Sequence, residues 1–351
     1  MAYDVIVAGA SFAGLTLASR IKGKTLLIDR KSVGSLPTSA CATFYDVLEK
    51  MGCESSLYKV FHKVNWQTGY SSYAFDAVEP FCTFDYKEFC HSLLKKFAGE
   101  FLKANIEGYR DGSVITDKGT FSGRVVVDCT GWRATLGSSV KRDLVDEKNL
   151  FFGLEAVVPY EDDKLTFIMD SKIMEHGYAW IFPIDRGSRV GLGSYANSGL
   201  NFVEKLKNFV ASFELEIQEM HGGFLPFRLR QAVLDKIFLV GDSGGQVFPL
   251  TAEGIRQGIY FAQACAEIIQ KVVDGGISLE DGLNAYRKFV EKHRWVFARF
   301  LFTQNWILHA ENRRLDFASK FACRRLPMNL VQKQYFNAMR IKPQWTKGGR
   351  D

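Results

Sequence analysis

Three stretches of this chain combine glycines, small residues and acids at spacings suited to a nucleotide. In Val7-Ala8-Gly9-Ala10-Ser11-Phe12-Ala13-Gly14, Gly9 permits a tight turn after a strand. Gly14 lets the next helix press against that strand. Ser11 stands at the middle glycine position of a G-x-G-x-x-G pattern and is small enough for backbone to approach a ligand. The helix start at Phe12 and Ala13 offers N–H groups and a positive dipole end to a pyrophosphate. Asp29, with Arg30 beside it, ends the next apolar run. A carboxylate there accepts hydrogen bonds from ribose hydroxyls and repels a 2′-phosphate.

The second stretch is Gly241-Asp242-Ser243-Gly244-Gly245, continuing to Pro249 and Glu253-Gly254-Ile255. An apolar strand delivers Asp242, which can accept from a ribityl hydroxyl. The helix beginning near Glu253 would face the electron-rich pyrimidine end of a flavin with its N–H groups. The third stretch, Val127-Asp128-Cys129-Thr130-Gly131, again follows a buried strand.

The elements that position these residues can be read from periodicity. YDVIVA, TLLI, RVVVD and KIFLV are short apolar runs of the kind found in buried parallel strands. Residues 15–21, 44–51 and 86–101 have helical spacing. Residues 66–84 alternate as strands, and Asp111-Gly112 and Lys118-Gly119 mark hairpin turns. Residues 149–159, 165–170, 178–183 and 188–195 read as an antiparallel block. Everything after about residue 253 reads as helix. The nucleotide motifs lie on both sides of the antiparallel block, so the fold class expected is α/β. It comprises a discontinuous Rossmann-like domain (1–65, 85–148 and 232–285), an inserted antiparallel-sheet substrate domain (66–84 and 149–231), and a helical C-terminal region (286–351).

Composition narrows the class further. The chain has 351 residues, enough for two or three interlocked lobes, and no apolar run long enough to span a bilayer. The N-terminus carries no basic or apolar leader, which predicts a cytoplasmic protein. Seven scattered cysteines form no Cys-x-x-Cys pair, so no metal site is expected. The 29 phenylalanines suggest an apolar interior larger than packing alone requires. Residues 288–351 hold fourteen Lys and Arg against four Asp and Glu, so the remainder of the chain is net acidic. There, basic residues alternate with Trp295, Phe297, Phe300, Phe302 and Trp306, a pattern that predicts peripheral membrane contact. No nucleic-acid recognition module accompanies the charge, and nothing reads on oligomeric state.

The motif order resembles the para-hydroxybenzoate hydroxylase-type FAD-dependent oxidoreductases over most of residues 1–275. The resemblance implies FAD held by Gly9, Ser11, Phe12, Ala13, Gly14, Asp29, Arg30, Thr130, Gly131, Gly241, Asp242, Pro249, Glu253, Gly254 and Ile255. Tyr86 stands where related proteins often carry an FAD-steadying arginine. Within this group, Tyr178-Ala179-Trp180-Ile181-Phe182-Pro183 resembles the Tyr-x-Trp-x-Phe-Pro motif of the geranylgeranyl reductases, and Gly222-Gly223-Phe224-Leu225-Pro226 resembles their segment before the second FAD motif. That likeness implies a prenyl-lipid or other apolar substrate bound by Tyr178, Trp180, Phe182 and Pro183. It also implies catalytic roles for Cys41, Tyr178 and Trp180, with Cys41 in Pro37-Thr38-Ser39-Ala40-Cys41 near the flavin. The reaction implied is reduction of isolated double bonds. No second nucleotide fold is visible, leaving NADPH, a ferredoxin or a chemical reductant as electron donor. A monooxygenase or halogenase-like enzyme on an apolar substrate shares every FAD residue, although the halogenase Trp-x-Trp-x-x-Pro pattern is absent. A redox-neutral, cyclase-like flavoprotein is the other alternative.

Overall fold

The computed structural model describes residues 2–35, 39–196, 199–217 and 219–343. The expected apolar runs form one parallel core. Strands Ile237–Leu239, Gly119–Asp128, Tyr3–Ala8, Thr25–Asp29 and Glu100–Lys103 lie side by side in that order, with Val233–Leu234 antiparallel at one edge. These strands read as continuous Val, Ile and Leu because both faces are covered. Val5, Val7, Val125 and Val127 face helices Phe12–Ala18, Tyr86–Leu94 and Ile255–Val273. Ile6, Ala8, Leu26 and Ile28 face the hairpin Ile106–Arg110/Ser113–Thr116 and helix Thr135–Val140. Each fully buried aliphatic side chain here is worth about 1.5–3 kcal/mol.

A second, eight-stranded sheet carries the other lobe. Its order is Met220–Pro226, Leu150–Val158, Ser188–Ser194, Gly177–Pro183, Leu165–Met169, Leu57–Thr68, Ser72–Phe84 and Ala42–Phe44. The sheet is not wholly antiparallel, because Leu165–Met169 pairs parallel with residues 64–68. Two segments N-terminal of residue 66, Ala42–Phe44 and the start of Leu57–Thr68, also pair with Ser72–Phe84 in this sheet. Period-2 alternation gives the sheet two distinct faces. Leu154, Ala156, Ala179, Ile181, Val190 and Leu192 pack against helix Phe202–Ala211. Phe151, Tyr178, Trp180 and Phe182 point the other way.

Two expected helices have different bounds. The helix expected over 86–101 ends at Leu94, because Glu100–Lys103 pairs with Leu26–Asp29 as a sheet edge. Its start is set by Asp85, whose carboxylate accepts from the Glu88 N–H at 2.7 Å. The helical pattern over 279–300 is broken at 292–293 into helices Leu279–Glu291 and Arg294–Leu308. Helices Asn312–Ala322 and Arg325–Ala338 then fold back over the second sheet. Asp316 Oδ1 accepts from Thr68 Oγ1 at 2.6 Å and from the Tyr73 hydroxyl at 3.1 Å, and Trp66 Nε1 donates to Ser319 Oγ at 3.0 Å.

Candidate functional site

The three nucleotide motifs, widely separated in sequence, meet at one cavity of about 1300 Å³ between the two sheets and the C-terminal helices. Gly9, Ser11, Phe12, Ala13, Asp29, Arg30, Thr130, Gly131, Gly241, Asp242, Glu253, Gly254 and Ile255 all line it. Gly14 and Pro249 are not among the lining residues. Gly14 acts one layer back, where a Cβ would sit 1.8 Å from the Gly9 carbonyl oxygen. Gly9 itself has φ +105°, and a Cβ there would sit 2.1 Å from Cys129 O. These contacts press the first and central motifs together and leave a side-chain-free cradle.

The acids of the three motifs have different duties. Asp29 accepts from the Ala10 N–H at 2.7 Å and the Lys31 N–H at 2.9 Å, orienting its carboxylate at the cradle. Asp128 is fully buried and structural: it accepts from the Thr130 N–H and hydroxyl, the Gly137 N–H and the Ser243 hydroxyl. Asp242 faces the cavity, and its carboxylate has no hydrogen-bond donor among the described residues. Burial pushes its pKa up to about 6, against the pull of Arg230. An unpartnered carboxylate of this kind fits a ribityl hydroxyl, and the residues present therefore suit FAD. Tyr86 also lines the cavity, its hydroxyl 3.0 Å from Ser11 Oγ.

The start of helix Ile255–Val273 has no side-chain cap, because its N-cap residue is Gly254, and the neighbouring Glu253 carboxylate is engaged elsewhere. It pairs with the buried Arg256 at 2.9 Å and accepts from Gln257 and the Tyr335 hydroxyl. Burial would raise Glu253, but Arg256 outweighs it and holds the carboxyl below its usual range. Arg256 Nη1 also donates to the carbonyls of Phe336 at 3.2 Å and Met339 at 2.8 Å. The second motif is thereby tied to helix Arg325–Ala338, which closes the cavity through Met328, Val331, Gln332 and Tyr335.

The substrate side of the cavity is aromatic. Tyr178, Trp180 and Phe182 line it together with Phe151, Phe167, Trp66 and Phe75. Tyr178 donates to Thr251 O at 2.9 Å, joining the sheet to the loop before Glu253. Pro183 is buried outside the lining, its carbonyl accepting from Thr83 Oγ1 at 2.6 Å. Cys41 is fully buried and also outside the lining. Its thiol donates to Ser39 O at 3.2 Å, burial pushes its pKa up to about 12, and its φ is +52°. Pro37 and Thr38 lie outside the described residues.

One group in this wall was not anticipated. Glu155 is a lone acid in the apolar strand Leu150–Val158, and it lines the cavity while only 3% exposed. Arg189 Nη1 donates to it at 3.1 Å and Trp180 Nε1 at 2.9 Å. His221 Nε2 lies 2.7 Å from Glu155 Oε1, in contact but with its N–H off the line to the oxygen. Burial alone would raise Glu155; His221 and Arg189 outweigh it and hold the carboxyl below the usual range. The acid in an otherwise apolar, inward-facing strand was the available signal, but its partners sit on three other strands.

Comparison with known proteins agrees with this architecture. Residues 96–306 match the family model described as tryptophan halogenase. Over 143 residues the chain is 30% identical to digeranylgeranylglycerophospholipid reductase 1 of Methanosphaera stadtmanae, a match covering 38% of this chain and 36% of the reductase. The chain thus spans about a third of the length of the reductases it matches. A geranylgeranyl bacteriochlorophyll reductase-like protein from Thermoplasma acidophilum shares the fold with TM-score 0.85 over 97% of this chain and 96% of that one, at 17% identity. A probable FAD-dependent monooxygenase from Pseudomonas aeruginosa, pqsL, shares it with TM-score 0.71 at 18% identity, over 92% of this chain and 100% of that one. With the FAD cradle in place and the family model matching more than half its length, this chain belongs to the tryptophan halogenase family and is a flavoprotein of the para-hydroxybenzoate hydroxylase fold.

Proposed function

We propose that this chain is an FAD-dependent reductase of isolated double bonds in a prenyl lipid. The observation that carries the reading is the continuity of the site. One cavity runs from the FAD cradle along the Tyr178, Trp180 and Phe182 wall to the C-terminal helices, and most of its surface is apolar. Reduced FAD supplies the hydride. The chain's own part is to hold an unactivated alkene still and keep water away from it. Aromatic side chains on one sheet face suit a flat, flexible prenyl chain better than a charged or strongly polar substrate. Tyr178 and Trp180 are proposed to contact the substrate and Phe182 to extend their wall. Cys41, one layer behind, would need residues 39–43 to turn before its thiol reached the cavity.

The same reading assigns the C-terminal helices to a membrane surface. No helix among the described residues is long and apolar enough to cross a membrane. Phe302 is 76% exposed and Leu326 78%, with Phe317 and Leu330 also exposed among Arg313, Arg314, Arg324, Arg325 and Lys333. Trp306 and Val331 are both exposed and part of the cavity lining, so the mouth opens within this apolar, basic surface. A prenyl lipid could then pass from bilayer to cavity without crossing water.

The test is anaerobic. The dithionite-reduced holoenzyme is mixed with geranylgeranylated glycerophospholipid in anionic liposomes, and products are read by mass spectrometry. Gain of two hydrogens per double bond, with reoxidation of the flavin, is the expected result. The halogenase family model favours a second reading, halogenation of an apolar substrate. Halide-dependent, oxygen-dependent product and no anaerobic turnover would select it instead.

A further inference from the structure

The second sheet places one residue from each of seven strands in a single cross-strand row. His221 pairs with Glu155, Glu155 with Gly191, Gly191 with Trp180, Trp180 with Phe167, Phe167 with Trp66, and Trp66 with Tyr73. Directly opposed residues share a face, so an aromatic strip ends in a carboxylate and an imidazole. Gly191 makes the join. A Cβ there would stand 2.3 Å from Trp180 Cζ2 and 2.7 Å from Glu155 Cβ. Its absence lets the indole lie across that strand and donate to Glu155. An ionised carboxylate closed from water among aromatics is costly, and sites that retain one use it often enough to make it a functional candidate.

Alkene reduction needs a proton as well as a hydride. We propose, building on the reductase reading, that His221 is the acid that protonates the substrate carbon and that Glu155 positions it. The π bond breaks, one carbon takes the hydride that reduced FAD supplies, and the other takes the His221 proton as the ring N–H bond breaks. His221 is then reprotonated from water, and the two electrons come from the reduced cofactor.

The other protic groups on this wall are engaged or too weakly acidic. The Tyr178 hydroxyl is donated to Thr251 O, and burial raises its pKa well above the ordinary phenol range. The Tyr335 hydroxyl is likewise raised by burial and lies against Glu253. Burial pushes the Cys323 thiol up to about 11. Glu155 is held ionised and has no proton to give. His221 lines the cavity with its side chain 29% exposed. Three residues along the same strand, Phe224 packs on Trp132, the residue after the central FAD motif, with ring centroids 5.0 Å apart. The imidazole therefore lies on a strand that runs past the cofactor loops.

The test compares wild type, His221→Gln and His221→Ala holoenzymes, each reduced with dithionite and mixed anaerobically with geranylgeraniol. His221→Gln should slow alkene-driven flavin reoxidation about 10²–10⁴-fold. Reoxidation by dioxygen, FAD content and geranylgeraniol binding read by tryptophan fluorescence should be unchanged. Added imidazole should restore part of the rate in His221→Ala, which a purely structural histidine would not allow. Glu155→Gln should lower the rate without weakening geranylgeraniol binding. A wild type that no prenyl alkene reoxidises overturns the reductase reading, and this assignment with it. A wild type that turns over, with His221→Gln within about threefold of it and no imidazole effect in His221→Ala, overturns the His221 assignment alone.

Discussion

Replacing Arg189 with Met would expose the electrostatics of the cavity wall most directly. Arg189 Nη1 lies 3.1 Å from Glu155 Oε1, with side chains only 8% and 4% exposed. Removing one partner of a buried pair costs about 3–5 kcal/mol, because the remaining charge loses its compensation. At about 2 °C per kcal/mol for a chain of this size, the holoprotein Tm should fall by roughly 6–10 °C near pH 7.5. The pH dependence gives a sharper check. In the native protein the Glu155 carboxyl is held below its usual range. Its contribution is therefore present above the unfolded value of about 4.3 and is lost as pH falls through the lower folded value. Without Arg189 the carboxyl loses one of the groups that offset burial, so its folded pKa moves up and less of the stability carried by the ionised form remains. The deficit of Arg189→Met should accordingly be largest at pH 8 and shrink as pH falls through the variant's raised folded pKa. Adding Glu155→Gln should recover most of it. The assay is thermal unfolding followed by intrinsic fluorescence across that pH range, with FAD saturating. A loss below about 1 kcal/mol, the range of an exposed pair, would refute the reasoning. So would a pH-independent loss that Glu155→Gln does not relieve.

Three further outcomes follow from the same geometry. Asp242→Asn should weaken FAD binding roughly 10–100-fold, the worth of a hydrogen bond to a charged group. Wild-type affinity should also fall as pH drops through about 6, where the free carboxyl takes up a proton, and the variant should lack that dependence; titration of apoprotein by flavin fluorescence reads both. Gly191→Ala should cost about 1–3 kcal/mol and shift the tryptophan emission, since the new methyl meets the Trp180 indole; unchanged Tm and emission would show that the sheet relaxes freely there. Arg256→Met should cost about 3–5 kcal/mol and loosen helix Arg325–Ala338, seen as faster proteolytic clipping beyond residue 308, because the Phe336 and Met339 carbonyls lose their donor.

Much of the cofactor side was legible in the residues alone. A Rossmann turn is local: Gly9, Gly14 and Asp29 lie within one strand-helix-strand unit, and sequence neighbours are spatial neighbours there. The apolar runs and the strand that carries Tyr178, Trp180 and Phe182 were readable for the same reason, since alternation over seven residues decides which side chains share a face. What lies far apart along the chain was decided by tertiary structure. The parallel pairing of residues 165–169 with 64–68 joins two segments a hundred residues apart, and no local propensity reports such pairing. The end of helix Tyr86–Leu94 was misjudged because Phe101 fits a helical stripe equally well, and only pairing with Thr25–Asp29 makes it strand. Glu155 reads as an anomaly in its own strand. It becomes part of a site only when Met220–Pro226, Gly177–Pro183 and Ser188–Ser194 bring His221, Trp180 and Arg189 to it. Hydrogen bonds and ion pairs across a sheet depend on register. Register is set by the packing of whole faces against helix and cavity, a property that no single segment carries.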